Sequence, residues 1–245
     1  MNSWAAFANT SPHSLWVAGA VTLAFASLAR WVRGVSPSGA VAGAAVCFLL
    51  CAGAGLGAFC ALVSVFVLTW VATRFGYQRK QKLGTAESRE GRTAAQVLAN
   101  LSVSAGCTVL WSVTGRTAFL WAMVAALSEA AADTVSSELG QARQESARLI
   151  TNWQTVPAGT DGGVTALGTV AGIAAATLVS SVGAVVGLVP ARLLWLPILA
   201  GTLGMLADSY MGAVLERRRL LNNNWVNFLG TLTAAALALA TGLSL

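Results

Sequence analysis

Charged side chains are scarce in this chain. Only 10% of the 245 residues are Asp, Glu, Lys or Arg, whereas 56% are apolar. A soluble domain carries about 25% charged residues, so the composition indicates an integral membrane protein rather than a large soluble core. The net charge of +6 therefore does not indicate nucleic-acid binding, because nucleic-acid-binding modules cluster Lys and Arg with stacking aromatics on a soluble surface.

The side chains of several common catalytic centres are also scarce. The single histidine, His13, excludes a zinc site built from histidines and argues against a Ser–His catalytic pair. The four cysteines lie in apolar runs and form no C-x-x-C pair, which predicts small buried hydrophobic residues. The chain also has no Walker-A string and no G-x-S-x-G. Its chemistry must therefore come from the few acidic and basic side chains.

Apolar runs long enough to cross a hydrocarbon core of about 30 Å recur along the chain. We predict an all-α polytopic transmembrane helical bundle of eight spans, with seven as the alternative because only Gly55, Leu56 and Gly57 separate the second span from the third. We treat residues 1–245 as a single transmembrane domain. The predicted spans are 14–31, 39–55, 57–74, 94–114, 117–134, 165–189, 193–214 and 225–244.

The basic residues fall mostly on one side of this predicted bundle. With eight spans, thirteen of the 15 Lys and Arg residues share one side, and Arg116 and Arg192 lie on the other. This positive-inside bias predicts that the N-terminus is outside and that the polar loops face the cytoplasm. Every acidic residue falls in or next to the same half. That distribution favours a cytoplasm-facing polar site over a transport path through the membrane.

The most polar insertion in an apolar run is A-A-D-T-V-S-S-E-L-G at 131–140. An ionised carboxylate near lipid costs roughly 2.5–3.5 kcal/mol, so Asp133 and Glu138 need a partner or a function. One interpretation is a solvated helix end closed by Gly140. Carboxylates there oppose the helix dipole, however, and a bound cation would resolve that conflict. We therefore predict both acids as Mg²⁺ ligands, with Glu138 reaching the site of Asp133 if the helix breaks near Ser136.

A glycine-rich turn, V-P-A-G-T-D-G-G-V, follows at 156–164. Its glycines permit left-handed or very close backbone conformations, and Thr160 or Asp161 is the candidate cap of the next helix. A turn that runs into a helix N-terminus offers backbone N–H groups and a positive dipole end to an anion. The predicted phosphate-binding residues of the turn are Gly159, Thr160, Gly162 and Gly163.

The basic loop and the helix after it, residues 79–100, have two interpretations. The loop is a topogenic charge run or a patch for anionic lipid head groups, or it binds phosphate. Gln96 and Asn100 lie one turn apart on one helix face, and buried carboxamides in lipid require partners, which favours the second interpretation. The candidate phosphate ligands are Lys82, Arg89 and Arg92, and the candidate head-group ligands are Gln96 and Asn100.

One further acid, Asp208, lies inside a predicted span. An intramembrane acid faces the bundle interior and is a functional-site candidate by default, although a structural Asp208 bonded to Asn or Tyr210 is the alternative. We predict Asp208 as a further metal ligand. Asn227, near the start of the last span, is a predicted head-group ligand inside the bundle.

These elements combine acids for a divalent cation, arginines and a glycine turn for phosphates, and an adjoining apolar bundle. The combination predicts phosphoryl or nucleotidyl transfer to a lipid whose polar head lies at the cytoplasmic surface. Such reactions depend on positioning and electrostatic stabilisation more than on a covalent nucleophile.

Five motifs between about residues 79 and 230 resemble those of an integral-membrane family that includes the phytyl-phosphate kinase of plant tocopherol synthesis. The second and third motifs are also similar, more loosely, to dolichol kinase and phosphatidate cytidylyltransferase. The motifs are G-R-x-x-x-Q-V-L-A-N at 91–100, A-D-T-x-x-S-E-L-G at 132–140, V-P-x-G-T-x-G-G-V-T at 156–165, D-S-x-x-G at 208–212 and V-N-F at 226–228.

The resemblance implies a nucleoside triphosphate donor (CTP or ATP), Mg²⁺ as cofactor, and an isoprenoid monophosphate acceptor such as phytyl phosphate. Two features depart from the family. Leu101 stands where glycine is usual, and residues 150–154 lack the basic residue that tends to precede the glycine turn. Donor preference or substrate is therefore expected to differ.

We thus predict a membrane kinase in which Asp133, Glu138, Arg92 and Asp208 are catalytic. The alternatives are a cytidylyltransferase that makes a CDP-lipid and a transporter or flippase for polyprenyl phosphates. The expected partners are the lipid bilayer and the lipid substrate, with no nucleic acid. An oligomer is compatible with the sequence, but no residue pattern argues for one.

Overall fold

The computed structural model describes residues 12–143 and 146–243, and the side chain of His13 lies outside the described part. The fold is a helical bundle. A short 3₁₀ turn (Ala191–Leu193) precedes the seventh helix and a π-helical turn (Gly212–Glu216) follows it. The helices are α1 (Pro12–Trp31), α2 (Pro37–Arg74), α3 (Tyr77–Leu83), α4 (Ala94–Thr114), α5 (Ala118–Ala142), α6 (Ala166–Val185), α7 (Trp195–Met211) and α8 (Asn223–Gly242).

Six helical segments of the described chain are long and apolar enough to cross a membrane. They are α2, α4, α5, α6, α8 and the segment Ala191–Glu216, which contains α7. The apolar part of α1, Leu15–Trp31, is shorter. The prediction of an all-α polytopic membrane bundle is confirmed, whereas the count of seven or eight spans and the single domain over 1–245 stay predictions.

Helix α2 turns back on itself at Gly55. This residue has φ 76° and ψ −173° inside an otherwise helical segment of 38 residues, a conformation that is essentially restricted to glycine. At the far end of α2, the indole nitrogen of Trp70 donates to the carbonyl of Val32 at 3.2 Å, and Arg74 donates to the same carbonyl. Both ends of α2 therefore lie beside the end of α1, and the two halves run antiparallel.

Helix α5 forms the centre of the bundle and is almost entirely buried. Glycines let the neighbouring helices approach it closely: a Cβ on Gly183 would lie 2.9 Å from the Val124 side chain, and one on Gly172 would lie 2.9 Å from the carbonyl of Ala132. The helix continues without a break past Ser136 to Ala142. The break near Ser136 that the sequence made plausible does not occur, because local hydroxyl bonds are compatible with the helix.

The segments at one end of the bundle, residues 32–36, 75–93, 146–165 and 212–222, carry most of the charged residues, and we call this the polar end. Here three short strands form an antiparallel sheet in the order β2-β1-β3, with Ala147 opposite Val156 and Arg148 opposite Val164. The sequence patterns did not predict these strands. The strands are β1 (Ala147–Leu149), β2 (Thr155–Val156) and β3 (Gly163–Val164).

Candidate functional site

Two cavities meet at the polar end. The first, of about 300 Å³, is lined mainly by polar side chains of α4, α5, α7, α8 and the glycine turn, and we call it the polar cavity. The second, of about 600 Å³, lies between α1, α2 and α4, and we call it the apolar cavity. The two share Glu87, Arg92 and Asn100. A ligand that fills both would therefore pass Arg92.

The polar cavity gathers residues that are far apart in the sequence. All but two of the predicted site residues line it. The residues that line the cavity are Arg92, Gln96, Asn100, Asp133, Glu138, Gly159, Thr160, Gly162, Gly163, Asp208 and Asn227. The polar positions of four helices and the glycine turn thus converge on one volume.

Lys82 and Arg89 are the two predicted residues that do not line the polar cavity. Arg89 lines the apolar cavity instead. Lys82 is exposed on α3 and lines neither cavity, whereas Lys80 on the same helix is buried. Two residues correspond to about 200° of helix rotation, so α3 turns Lys80 inward and Lys82 outward. Lys82 therefore lies outside both cavities, and its part in phosphate binding stays a prediction.

Two acids of the polar cavity lie close enough for their charges to interact. The half-buried Asp133 of α5 interacts electrostatically with Asp208 of α7, and the charge of Arg92 acts on its carboxylate. Asp208 is 8% exposed, and within the described residues its Oδ2 has no hydrogen-bond partner. A buried polar oxygen without a partner is costly, so this oxygen is available for a ligand.

A third acid, Glu129, lies one helical turn below Asp133 on the same face of α5 and is 1% exposed. Its Oε1 also has no hydrogen-bond partner within the described residues. A Cβ built on Gly230 would contact Glu129 Oε1 and would lie 3.1 Å from Asp208 Oδ2. The two unpaired oxygens therefore lie near each other beside α8, and Asp208 connects them to the polar cavity.

Glu138 lines the polar cavity, but the protein itself compensates its charge. Its Oε2 accepts a hydrogen bond from the fully buried ammonium of Lys80. The same ammonium donates to the carbonyls of Ala72 at 3.1 Å and Thr73 at 2.8 Å. The Lys80–Glu138 pair thus ties α3 and the end of α2 to α5.

The placement of Glu138 bears on its predicted role as a metal ligand together with Asp133. On an unbroken helix, residues five positions apart point about 140° away from each other. A metal site shared by Asp133 and Glu138 was expected only if the helix broke near Ser136. Because α5 is unbroken here, that condition is not met. Asp208, rather than Glu138, is the carboxylate that the fold brings to Asp133.

Arg92 is fixed by the backbone around it. Its N–H donates to the carbonyl of Gly34 at 3.2 Å, and its carbonyl accepts from the N–H of Ser36 at 2.9 Å. The guanidinium donates to Thr134 Oγ1 at 3.2 Å. A Cβ on Gly39 would collide with the Arg92 carbonyl, so glycine at this position is required for the approach. These contacts hold Arg92 between the two cavities.

The two carboxamides of α4, Gln96 and Asn100, differ in how many of their hydrogen-bonding atoms the protein already uses. Gln96 completes a capping box, since its Oε1 accepts from the N–H of Thr93 at 2.8 Å, and its Nε2 donates to Glu87 at 2.9 Å. The protein thus uses both ends of this carboxamide, although we predicted a contact with the head group. Asn100 is buried, donates to the carbonyl of Gln96 at 2.9 Å and lines both cavities.

The glycine turn closes one side of the polar cavity. Gly159 and Gly162 have φ values of 83° and 72°, which other residues adopt rarely. The helix cap is Thr165, whose Oγ1 accepts from the N–H of Gly168 at 3.0 Å. The prediction of a Thr160 or Asp161 cap is wrong, because β3 lies between these two residues and α6.

The donor set fits a magnesium ion held partly by substrate. Among the described residues, no group of three or more His, Cys, Asp and Glu side chains is placed to bind a metal. Mg²⁺ does not require such a cage, since it commonly takes one or two carboxylates and completes its shell with phosphates and water. Asp133 and the unpaired Oδ2 of Asp208 provide that pair.

A family model described as integral membrane protein DUF92 matches residues 20–235. The chain belongs to the DUF92 family. The matched region contains every residue that lines the polar cavity. No solved structure matches the chain.

Three curated relatives are each 31% identical to this DUF92 chain over the aligned regions. The uncharacterized membrane protein MJ0933 of Methanocaldococcus jannaschii is 31% identical over 89% of this chain and 90% of its own length. Protein VTE6, chloroplastic, of Arabidopsis thaliana is 31% identical over 80% of this chain and 62% of its own length. The uncharacterized membrane protein sll0875 of Synechocystis is 31% identical over 78% of this chain and 76% of its own length.

Sequence reasoning missed three residues around the site of this DUF92 protein. Glu129 shares a helix face with Asp133, and that four-residue spacing was a usable signal. No sequence pattern marks Lys80, because it differs from the neighbouring basic residues only in the direction in which α3 turns its side chain. Gln141 lines the polar cavity, and within the described residues its buried Oε1 has no partner.

Proposed function

We propose that this DUF92 protein is a membrane-embedded kinase that transfers a phosphoryl group from a nucleoside triphosphate, CTP or ATP, to an isoprenoid monophosphate such as phytyl phosphate. The product is the isoprenoid diphosphate. The observation that supports this most directly is the polar cavity with Asp133, Asp208 and Arg92, which opens beside an apolar cavity. The motif resemblance to the family of the phytyl-phosphate kinase points to the same reaction.

In this proposal the side chains have separate tasks. Asp133 and Asp208 would hold Mg²⁺, which when bound neutralises and orients donor phosphates. The guanidinium of Arg92 binds phosphate oxygens at the boundary of the cavities, where its planar N–H groups suit a phosphate. The acceptor phosphate is itself the nucleophile, and because the second pKa of a phosphate monoester is near 6, no strong protein base is required.

The proposal includes an orientation. The polar end carries most of the basic residues of the chain, so by the positive-inside rule it faces the cytoplasm and the N-terminus is outside. Nucleoside triphosphates would then reach the polar cavity from the aqueous side, and the lipid acceptor would remain in the membrane.

The test is a product analysis with purified protein, Mg²⁺, a panel of prenyl phosphates, and ATP or CTP, read by mass spectrometry. The expected products are a prenyl diphosphate and a nucleoside diphosphate. A CDP-lipid with pyrophosphate would identify a cytidylyltransferase instead. Movement of the lipid across vesicle membranes without consumption of triphosphate would identify a transporter or flippase.

Asp133→Asn tests the assignment of the site. Loss of a metal-binding charge removes several kcal/mol of transition-state stabilisation, so we expect turnover to fall on the order of a hundredfold or more. The matched control is Glu90→Gln, because Glu90 is exposed and lines neither cavity. Full triphosphate turnover in Asp133→Asn would contradict the metal-site assignment.

A further inference from the structure

The apolar cavity extends deep into the bundle. Along the second half of α2 its lining runs from Arg74 at the polar end to Leu62, a separation of about 18 Å along a helix. That distance is somewhat more than half of a hydrocarbon core of about 30 Å. Its volume of about 600 Å³ lies inside the range of about 300–1,000 Å³ that is typical of ligand pockets.

The lining of this cavity combines basic side chains with apolar side chains. Four arginines, among them Arg33 and Arg74, line it together with apolar residues that include Phe25 and Phe66. The guanidinium of Arg74 lies 4.6 Å from the centre of the Trp70 ring, which holds it near the cavity. This arrangement complements an amphiphile with an anionic head and an apolar tail, and the volume suits one chain rather than two.

Gly43 marks the deepest part of the cavity lining on the first half of α2. A Cβ built there meets no atom within 4 Å. Gly39, one turn nearer the polar end, is different because a Cβ there would collide with the carbonyl of Arg92. Backbone packing therefore explains glycine at 39 but not at 43, where the space beside the missing side chain belongs to the cavity.

We propose that the apolar cavity binds the hydrocarbon chain of a single-chain isoprenoid phosphate and that the open space at Gly43 determines the chain length that fits. This inference rests on the proposed function, because the phosphate of such a lipid would lie at Arg92, next to the polar cavity. A larger side chain at position 43 would take up part of this space, so long prenyl chains would lose more of their contacts than short ones.

Gly43→Leu tests the proposal by filling the cavity from a position where an added Cβ meets no atom within 4 Å. The control is Gly106→Leu, since a Cβ on the exposed Gly106 also meets nothing within 4 Å but Gly106 does not line the cavity. The measurement is kcat/KM for geranyl, farnesyl and phytyl phosphate. Because single methylenes shift discrimination by about tenfold or more, we expect Gly43→Leu to lower the phytyl-to-geranyl ratio at least about tenfold and Gly106→Leu to leave it unchanged.

A binding measurement separates this inference from the proposed function. A photoreactive farnesyl phosphate should label peptides of α2 that line the cavity, and phytyl phosphate should compete for the labelling. Weaker competition by phytyl phosphate in Gly43→Leu supports the inference even if no kinase product forms, in which case the proposed function alone fails. An unchanged substrate ratio in an active Gly43→Leu enzyme, labelling outside the cavity, or equal competition by a two-chain phosphatidate would overturn the inference.

Discussion

Removal of the buried ammonium of Lys80 should destabilise the protein strongly. Lys80→Met keeps an apolar stem of similar length but leaves Glu138 without its partner and the carbonyls of Ala72 and Thr73 without a shared donor. Breaking a buried ion pair by removing one partner costs about 3–5 kcal/mol. The side chain of Glu138 is 12% exposed, so partial hydration favours the lower end of that range.

The effect is large enough to measure by thermal unfolding in detergent micelles, followed by circular dichroism. For a chain of this size about 1 kcal/mol corresponds to roughly 2–4 °C in Tm, so Lys80→Met should lower Tm by about 6–20 °C. Lys82→Met is the matched control, because Lys82 is exposed two residues along the same helix. Its Tm should remain close to that of the wild type.

The double variant Lys80→Met with Glu138→Leu separates pairing from packing. Replacement of a whole buried ion pair by apolar side chains is often neutral or stabilising by about 1–4 kcal/mol, so the double variant should regain most of the lost stability. The reasoning fails if Lys80→Met melts at the same temperature as Lys82→Met, or if the double variant is less stable than Lys80→Met alone.

Two glycines of the site give further predictions. Gly162→Ala combines a φ of 72° with a Cβ 2.5 Å from the backbone nitrogen of Ala213, so it should cost more than about 1 kcal/mol and reduce turnover; an unchanged Tm would refute the strain argument. Gly230→Ala places a methyl group against Glu129 Oε1 and 3.1 Å from Asp208 Oδ2, so it should reduce turnover in the product assay. Wild-type turnover in Gly230→Ala would show that these oxygens take no part in the site.

The convergence of the site was predictable from the sequence for a physical reason. Polar side chains in membrane helices avoid lipid and face the bundle interior, so Asp133, Asp208 and Asn100 were expected to point into the bundle. Since their helices also present these residues toward the same end, one shared volume follows. The structure places all three in the polar cavity.

The pairing of individual side chains was not predictable in the same way. Lys80 and Lys82 belong to one basic run, and only the packing of a seven-residue helix decides which of them is buried. The end of α5 was ambiguous because Ser and Thr hydroxyls bond to the backbone both in turns and in helices. Here Ser137 donates to the carbonyl of Thr134 at 3.2 Å while the helix continues. The strands of two or three residues were too short for an alternating pattern.

The backbone of Gly55 has a consequence for biogenesis. A straight helix of 38 residues would be about 57 Å long, nearly twice a hydrocarbon core of about 30 Å. The bend at Gly55 folds this length into a hairpin whose tip has no polar loop. The translocation machinery therefore has no hydrophilic segment to carry across between Arg33 and Arg74, and the two halves can enter the bilayer together from one side.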